Sequence, residues 1–272
     1  MAPHSSLVNA LGSARALIGM IHVGALPGTP AAIDPIDAIA QRAVEDARAY
    51  RDAGFTAVLI ENMHDRPYLK GRVGPDIVAA MTRVGTEVRG AVDLPLGVQV
   101  LAGANLEALA VALACGATFI RVEGFVFAHV ADEGVIDASA GTLLRARRQL
   151  GASHVKVFAD VKKKHSAHAI TADVSLEETA RAAEFFLADG VIVTGVATGR
   201  AAEPADVEAV ARAVAIPTLV GSGLTPDTLA AYQAAAGFIV GSAVKRDGVW
   251  SNPLDLARVD AMARAFRRTL AQ

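Results

Sequence analysis

The sequence predicts an α/β protein that folds as a single (β/α)8 TIM barrel, and three observations predict it. Short apolar runs alternate with amphipathic stretches eight times along the 272 residues, which is typical of parallel strands buried on both faces. The helix-to-strand links are short and contain glycine, whereas several strand-to-helix links run to a dozen residues or more. The length suits closure of eight units into a barrel, with a doubly wound open sheet as the alternative.

The eight apolar runs are the predicted strands. Six of them cover residues 16–23, 56–61, 96–101, 118–123, 154–160 and 191–195. The last two run into the Gly-Ser pairs at 221–222 and 241–242. Amphipathic periodicity places helices at about 35–53, 75–89, 106–114, a stretch ending near 150, 176–188, 204–214, 226–234 and 253–270. No Pro/Ser linker divides the chain, so we expect one domain over 1–272 that begins with an N-terminal extension, 1–15.

Composition limits the classes of function. The net charge of -2 and the low aromatic content of 5% give no basic or stacking surface for a nucleic acid, so no nucleic-acid partner is expected. Cys115 is the single cysteine, which excludes an internal disulfide and favours a reducing compartment. No apolar run reaches the ~18 residues of a membrane-spanning helix, and no secretion signal is apparent. We therefore expect no transmembrane segment and a cytoplasmic location.

The last two predicted strands form the most informative feature of the sequence. Gly221-Ser222-Gly223 and Gly241-Ser242 each follow a short apolar strand, and bare glycine lets backbone N–H groups approach an anion closely. The loops after strands seven and eight are the usual phosphate site of such a barrel. We predict a phosphate cradle at these two turns, against the alternative that the glycines only allow tight turns.

Two neighbouring stretches could strengthen this cradle. Thr225 could cap a helix with Pro226 and Asp227 in its first turn, which would direct a helix N-terminus at the same point. The end of the sixth strand offers further backbone donors at Gly195, Thr198 and Gly199.

Strand parity sorts the polar groups that could meet at the cavity. One face of the second, fourth and fifth strands carries Ala57, Leu59 and Glu61; Phe119, Arg121 and Glu123; and Lys156, Phe158 and Asp160. Because a lone buried charge is costly, we expect Arg121 and Lys156 to pair with the acids at the strand ends. These pairs could form a charged floor under the phosphate or an ion-pair layer that only fills the barrel.

Other candidates follow the strand ends. Glu61, Asn62 and Asp65 belong to a segment rich in ligand-type groups, where Asn62 could contact a sugar hydroxyl and the two acids are candidate ligands for Mg²⁺. The spacing matches no recognised metal motif. Lys164 and His165 follow Asp160 and could contact an anion or move a proton.

Seven ordered motifs lie between Ile18 and Phe266. They are Met20-Ile21-His22 with Leu26-Pro27-Gly28, Ile60-Glu61-Asn62 with Asp65 and Pro67, Phe119-Ile120-Arg121-Val122, Ala159-Asp160-Val161 with Lys164-His165, Thr194-Gly195 with Thr198-Gly199, Gly221-Ser222-Gly223, and Ile239-Val240-Gly241 with Lys245 and Gly248. Together these motifs resemble the BtpA family, and the resemblance implies a TIM barrel of the ribulose-phosphate-binding kind. The family is named for a member linked to photosystem I accumulation, whereas relatives without photosynthesis indicate a more general metabolic role.

Two positions depart from the family pattern. Gly103-Ala104 stands where the family usually has an Asn-Asp pair, with Asn105 and Glu107 displaced, and the fourth strand ends in Glu123 rather than Asn. If the Asn-Asp pair touches substrate in the family, these changes alter the substrate or the activity here.

These observations support two hypotheses of different kinds. The first is an enzyme acting on a small phosphorylated metabolite, a phosphosugar or a phosphoribosyl or nucleotide-derived compound, by isomerisation, aldol-type lysis or glycosidic hydrolysis. Its catalytic candidates are Glu61, Asp160, His22, Glu123, Lys164 and His165, and Lys156 as a Schiff-base lysine is a weaker alternative. We expect a homo-oligomer, and no cofactor is required by the sequence.

The second hypothesis is a non-catalytic assembly or biogenesis factor of a membrane complex of the photosystem type. Such a protein would retain the barrel and its phosphate site. Its partner surface would be the apolar residues of the loop after the fourth strand, namely Phe125, Val126, Phe127 and Val130.

Overall fold

The computed structural model describes residues 7–8, 10–163, 165–195 and 201–270, and within them eight parallel strands close into a barrel. Eleven strands follow one another along this part of the chain: β1 Ala16–His22, β2 Ala57–Glu61, β3 Leu96–Gln99, β4 Phe119–Val122, β5 His129–Ala131, β6 Gly134–Ile136, β7 Lys156–Val161, β8 Ser166–Ala167, β9 Gly190–Thr194, β10 Thr218–Gly221 and β11 Gly237–Val240. The barrel order is β1-β11-β10-β9-β7-β4-β3-β2, which confirms the predicted TIM barrel.

Seven α-helices in the described residues surround the barrel: α1 Ile36–Ala53, α2 Pro75–Ala91, α3 Asn105–Cys115, α4 Ala140–Gln149, α5 Leu176–Phe185, α6 Pro204–Ala213 and α7 Leu256–Leu270. Each buries an apolar stripe against the outer face of the sheet, because its apolar residues recur with the helical period. Within the described ranges, none of these helices is long and apolar enough to cross a bilayer.

The helix predicted at 226–234 is wrong. This stretch forms only a short 3₁₀ turn, Leu229–Ala231. The backbone N–H groups of Ala231 and Tyr232 donate to the carbonyls three residues back, Thr228 and Leu229, and the backbone of Tyr232 leaves the helical region at φ -104° and ψ 56°, so no α-helix continues. A helix N-terminus at Thr225 therefore makes no contribution to the predicted cradle.

The barrel interior is filled by inward-facing apolar residues, as strand parity predicts. Leu59, Phe119 and Phe158 are buried there, and the rings of Phe119 and Phe158 meet edge to face with centroids 5.6 Å apart. Leu7 and Leu11 of the N-terminal segment belong to the same cluster. This segment therefore seals the end of the barrel at which the strands begin.

The predicted partner of Lys156 is wrong. Its ammonium group lies 3.0 Å from Oδ1 of Asp189. The other carboxylate oxygen of Asp189, Oδ2, accepts a hydrogen bond from Arg147 at 2.6 Å. Lys156 is the first residue of β7 and Asp189 directly precedes β9. This pair therefore lies at the end of the barrel where the strands begin, opposite to the end that carries the cavity. That position also removes the geometric basis for Lys156 as a Schiff-base lysine.

A small second sheet covers part of the mouth of the barrel. β5 pairs antiparallel with both β6 and β8, in the order β6-β5-β8. Because β5 and β6 follow β4 while β8 follows β7, the pairing ties together the loops after two neighbouring barrel strands. The turn between β5 and β6 carries Asp132 and Glu133 over the cavity.

Candidate functional site

A cavity of about 550 Å³ opens where the barrel strands end. Nine of the side chains and glycines that the sequence predicts for the site line it: His22, Glu61, Glu123, Asp160, His165, Ser222, Gly223, Gly241 and Ser242. The structure therefore brings together the predicted phosphate cradle and most of the predicted acid and base candidates in one space.

The other predicted residues that the structure describes, Asn62, Asp65, Gly195 and Gly221, do not line the cavity. Asn62 accepts a hydrogen bond from the Leu101 backbone N–H at 2.7 Å and donates to Asp65 at 2.9 Å, and Asp65 accepts from the Leu26 N–H at 2.8 Å. Asn62 and Asp65 thus connect the loops after the first three strands. Gly195 and Gly221 are buried. Lys164, Thr198 and Gly199 lie outside the described residues.

The two turns of the predicted cradle lie side by side. Gly221 of β10 pairs in register with Ile239 of β11, so Ser222-Gly223 and Gly241-Ser242 leave neighbouring strands at similar heights. Ser222 has φ 77° and Gly223 has φ 66°, both left-handed, so the chain turns sharply at the rim. No other described residue accepts a hydrogen bond from the N–H groups of Gly223, Ser242 or Ala243. Such N–H groups can bind an anion.

His22 is fixed beside this cradle. Its Nδ1 lies 3.0 Å from the carbonyl oxygen of Trp250, and because a carbonyl only accepts, Nδ1 carries the proton. Nε2 then faces the Glu61 carboxylate, with Oε2 at 3.9 Å. A Cβ on Gly241 would lie 3.3 Å from both Cε1 and Nε2 of His22, so glycine allows the imidazole to lie against the cradle.

The floor of the cavity is charged, and its central pair confirms the partner predicted for Arg121. Arg121 donates two hydrogen bonds to Asp160, at 3.1 and 3.0 Å, and both side chains are buried. Burial raises the pKa of the Asp160 carboxyl, an effect that the Arg121 guanidinium partly offsets. Burial has the largest single effect on the pKa of Arg121 and lowers it, but the charge and hydrogen bonds of Asp160 together with the charges of Glu61 and Glu123 outweigh it, and the net shift is upward. Arg121 is therefore charged at neutral pH.

Glu123 forms a second ion pair, with Lys163 at 3.0 Å. Asn105 donates to the Glu123 backbone carbonyl at 2.7 Å, so the displaced asparagine supports this strand end from behind. Glu107 pairs with Arg72 at 3.3 Å and does not line the cavity. Asn105 and Glu123 thus lie at the β3 and β4 side of the cavity, away from the two turns after β10 and β11.

Several residues that line the cavity were not predicted from the sequence. Gln99 ends β3 on the inward face, and strand parity alone could have identified it. Trp250, the single tryptophan, lies beside His64 with ring centroids 4.8 Å apart and below the Arg66 guanidinium at 5.0 Å from the ring centre. Arg258 of α7 also lines the cavity. The two arginines place positive charge on the rim, for which the sequence carried no local signal.

The predicted magnesium ligands do not come together as a cluster. Glu61 lines the cavity, whereas Asp65 is occupied by Leu26 and Asn62. Across the residues that the structure describes, no group of three or more His, Cys, Asp or Glu side chains is placed to hold a metal ion.

The fold and the cavity define a TIM-barrel protein whose candidate site lies at the carboxyl ends of its strands. The chain matches the model of the BtpA family over residues 13–268, and it belongs to that family. An uncharacterized mitochondrial protein of Caenorhabditis elegans is 48% identical over 92% of each chain. The photosystem I biogenesis protein BtpA of Synechocystis is 36% identical over 93% of this chain and 88% of that protein.

Solved structures confirm the fold at low sequence identity. The (S)-3-O-geranylgeranylglyceryl phosphate synthase of Thermoplasma acidophilum, in complex with its substrate sn-glycerol-1-phosphate, has a TM-score of 0.61 and 15% identity over 98% of this chain and 99% of that chain. The thiamine phosphate pyrophosphorylase of Pyrococcus furiosus has a TM-score of 0.57 and 17% identity over 97% of this chain and 99% of that chain.

Proposed function

We propose that this protein is an enzyme that acts on a small phosphorylated metabolite, of the phosphosugar or phosphoribosyl type, by acid-base chemistry. The observation that carries the proposal is the position of the two turns, Ser222-Gly223 and Gly241-Ser242, beside His22 and Glu61 in one cavity. The similar fold of enzymes named for phosphorylated compounds adds support, because sites at strand ends recur in this fold.

The phosphate group would bind to the backbone N–H groups of Gly223, Ser242 and Ala243. Arg258 lines the cavity beside these groups, where its guanidinium donates to the Ala243 carbonyl at 3.4 Å and pairs with Asp255 at 3.7 Å. Anchoring the phosphate holds the reactive end of the ligand against fixed side chains, which makes the chemical step effectively intramolecular.

Proton transfer would fall to His22 and Glu61. With its Nδ1–H directed at the Trp250 carbonyl, the imidazole in its neutral form would present Nε2 as a base, and Glu61 lies close enough to stabilise the imidazolium that would result. Asp160 is held by two hydrogen bonds from Arg121, so we place it in the charged floor rather than in proton transfer. Roles for Glu123, Lys164 and His165 stay predictions.

Thermal unfolding with and without ligands tests the proposal. Inorganic phosphate, ribose 5-phosphate and other sugar phosphates, each with and without Mg²⁺, are added at increasing concentration. A ligand at a hundred times its Kd stabilises the folded state by ~2.7 kcal/mol, which shifts Tm by several degrees. Phosphorus NMR of the same mixtures then detects turnover. If no phosphorylated compound raises Tm, the proposal fails.

The alternative function, a biogenesis factor, rests on the 36% identity to the Synechocystis protein named for photosystem I biogenesis. Its predicted surface is partly wrong, because Phe125 is buried at 1% exposure, whereas Phe127 and Val130 are exposed. In the same thermal assay this alternative predicts no shift with phosphorylated compounds and a shift with a protein partner.

Location and assembly also belong to the proposal. The chemistry requires no membrane, and we propose a cytoplasmic location, although the worm relative is named as mitochondrial. We also propose a homo-oligomer. Fractionation of cells tests the first statement, and light scattering of the purified protein tests the second.

A further inference from the structure

The cavity has two chemically different sides. In the barrel order, β10 and β11 are four places away from β3 and β4, and four places in a ring of eight strands is directly opposite. The two turns of the cradle end β10 and β11. A ligand anchored there would extend its other end toward β3 and β4.

The wall at β3 and β4 contains a hydrogen-bond acceptor without a donor. Gln99 is 1% exposed and lines the cavity, and its Nε2 donates to the Glu123 carboxylate at 3.4 Å. If the Gln99 amide were flipped, its oxygen would face the Glu123 carboxylate oxygen and two acceptors would meet. The Glu123 contact therefore fixes the orientation of the Gln99 amide. Oε1 is then buried, and no donor within the described residues reaches it. Leaving a buried acceptor unpaired is costly, which points to a partner supplied from outside the chain.

The rest of this wall is also acidic. Glu123 is neutralised by Lys163, but Asp132 and Glu133 on the turn above it have no ion pair or hydrogen bond with any described residue. Both line the cavity. The rim of this wall therefore carries an excess of negative charge and acceptor oxygens, in contrast to the cradle with its N–H groups and Arg258. We call Gln99, Glu123, Asp132 and Glu133 the acceptor wall.

We propose that the acceptor wall binds hydrogen-bond donors at the non-phosphorylated end of the ligand, with Gln99 Oε1 as the selective contact. This inference rests on the proposed function and narrows its substrate class to phosphorylated compounds whose far end carries hydroxyl or amino groups. An apolar far end would leave Gln99 Oε1 unpaired, and a carboxylate there would meet Asp132 and Glu133.

Three probes with the same five-carbon chain test the inference. Pentyl phosphate has no donor beyond the phosphate, ribitol 5-phosphate has hydroxyl groups, and 5-aminopentyl phosphate has a terminal amine. We expect at least one of the two donor-bearing probes to bind about tenfold more tightly than pentyl phosphate in calorimetry, about the effect of one hydrogen bond to a previously unpaired acceptor. Hydroxyl and amine preferences are separated by comparing the two.

Variants connect the preference to the wall. Gln99→Leu should remove the difference between the donor-bearing and apolar probes and leave the Kd for inorganic phosphate unchanged. The Asp132→Asn and Glu133→Gln double variant, on an exposed turn, provides a second test without a change in the barrel interior and should weaken 5-aminopentyl phosphate most. Thr218→Val is the matched control, because Thr218 also has a buried unpaired oxygen but lies at the start of β10.

The outcomes separate the two proposals. If inorganic phosphate does not bind to the wild-type protein, the proposed function fails, and this inference fails with it. If phosphate binds but pentyl phosphate binds as tightly as both other probes, only the acceptor wall is overturned. The same holds if the preference persists in both wall variants, or if Thr218→Val abolishes it.

Discussion

His22 and Glu61 are paired residues at the ends of β1 and β2, and His22 Nε2 lies 3.9 Å from Glu61 Oε2. The carbonyl of Trp250 fixes the opposite edge of the imidazole at 3.0 Å. Two groups able to exchange a proton are thus held by strand pairing and by one backbone contact.

Glu61→Gln should lower turnover about 10²–10⁴-fold, because it removes the carboxylate that supports proton transfer by His22. The Kd for inorganic phosphate should change less than about twofold, since the cradle lies on other strands. Turnover is measured with the phosphorylated compound that phosphorus NMR identifies as a substrate. Glu45→Gln on the exposed face of α1 is the control. Unchanged turnover in Glu61→Gln would remove this residue from the mechanism.

Gly241→Ala should weaken phosphate binding by about tenfold or more. The added Cβ would lie 3.3 Å from two ring atoms of His22, so the imidazole must move and the cradle narrows. The backbone φ of Gly241 is -121°, so the substitution introduces no left-handed strain. Calorimetry with inorganic phosphate measures the loss.

Gly90→Ala is the control for Gly241→Ala. Gly90 lies in α2, and a Cβ there would meet nothing within 4 Å. It should keep phosphate affinity and stabilise the fold by up to ~1 kcal/mol, because alanine favours the helix. Equal phosphate affinity in Gly241→Ala and in the wild type would place the anion elsewhere.

The Arg121–Asp160 pair should behave as a coupled unit in unfolding. Asp160→Leu leaves the Arg121 charge buried without its partner, and Arg121→Leu leaves the Asp160 charge buried without its partner. Each substitution should therefore lower the free energy of unfolding by ~3–5 kcal/mol. The double variant should cost less than the sum of the two by at least ~2 kcal/mol. Urea unfolding of the four proteins measures the coupling. Additive costs would show that the two charges are independent.

The fold could be predicted from the sequence because parallel strands that are buried on both faces produce a local sequence pattern. Each strand is a short apolar run, and parity places Leu59, Phe119 and Phe158 inside the barrel, where they lie. The Lys156 partner was not predictable in this way. Asp189 is 33 residues away and reaches Lys156 only because β7 and β9 are neighbours in the closed barrel.

The site was predictable only where strands end. Glu61, Asp160 and Ser222 all follow from that rule, and they line one cavity. The contact that fixes His22 is to the backbone carbonyl of Trp250, 228 positions away. Because every residue has a backbone carbonyl, the sequence gives no sign of this contact. The helix predicted at 226–234 fails for a different reason, since the chain makes one 3₁₀ turn and its backbone leaves the helical region at Tyr232.

His129 should make stability depend on pH in mildly acidic solution. Burial, followed by the nearby charges of Lys163 and His168, lowers the pKa of His129 to about 4, against 6.5 for an exposed histidine. Between these values the unfolded chain binds a proton that the folded protein does not bind. The free energy of unfolding should therefore decrease as pH falls from 6.5 to 4, with no further loss from this residue below 4.

The full effect of His129 is at most on the order of 3 kcal/mol, from 1.36 kcal/mol per pKa unit, and solvent screening reduces it. His129→Gln should reduce the decrease between pH 6.5 and 4 in urea unfolding, since the variant has no imidazole to protonate in the unfolded chain. His154→Gln on the exposed surface is the control and should leave the pH profile as in the wild type. Because His129 Nε2 is buried without a described hydrogen-bond partner, a profile unchanged in His129→Gln would mean that the imidazole is protonated in the fold as readily as in the unfolded chain.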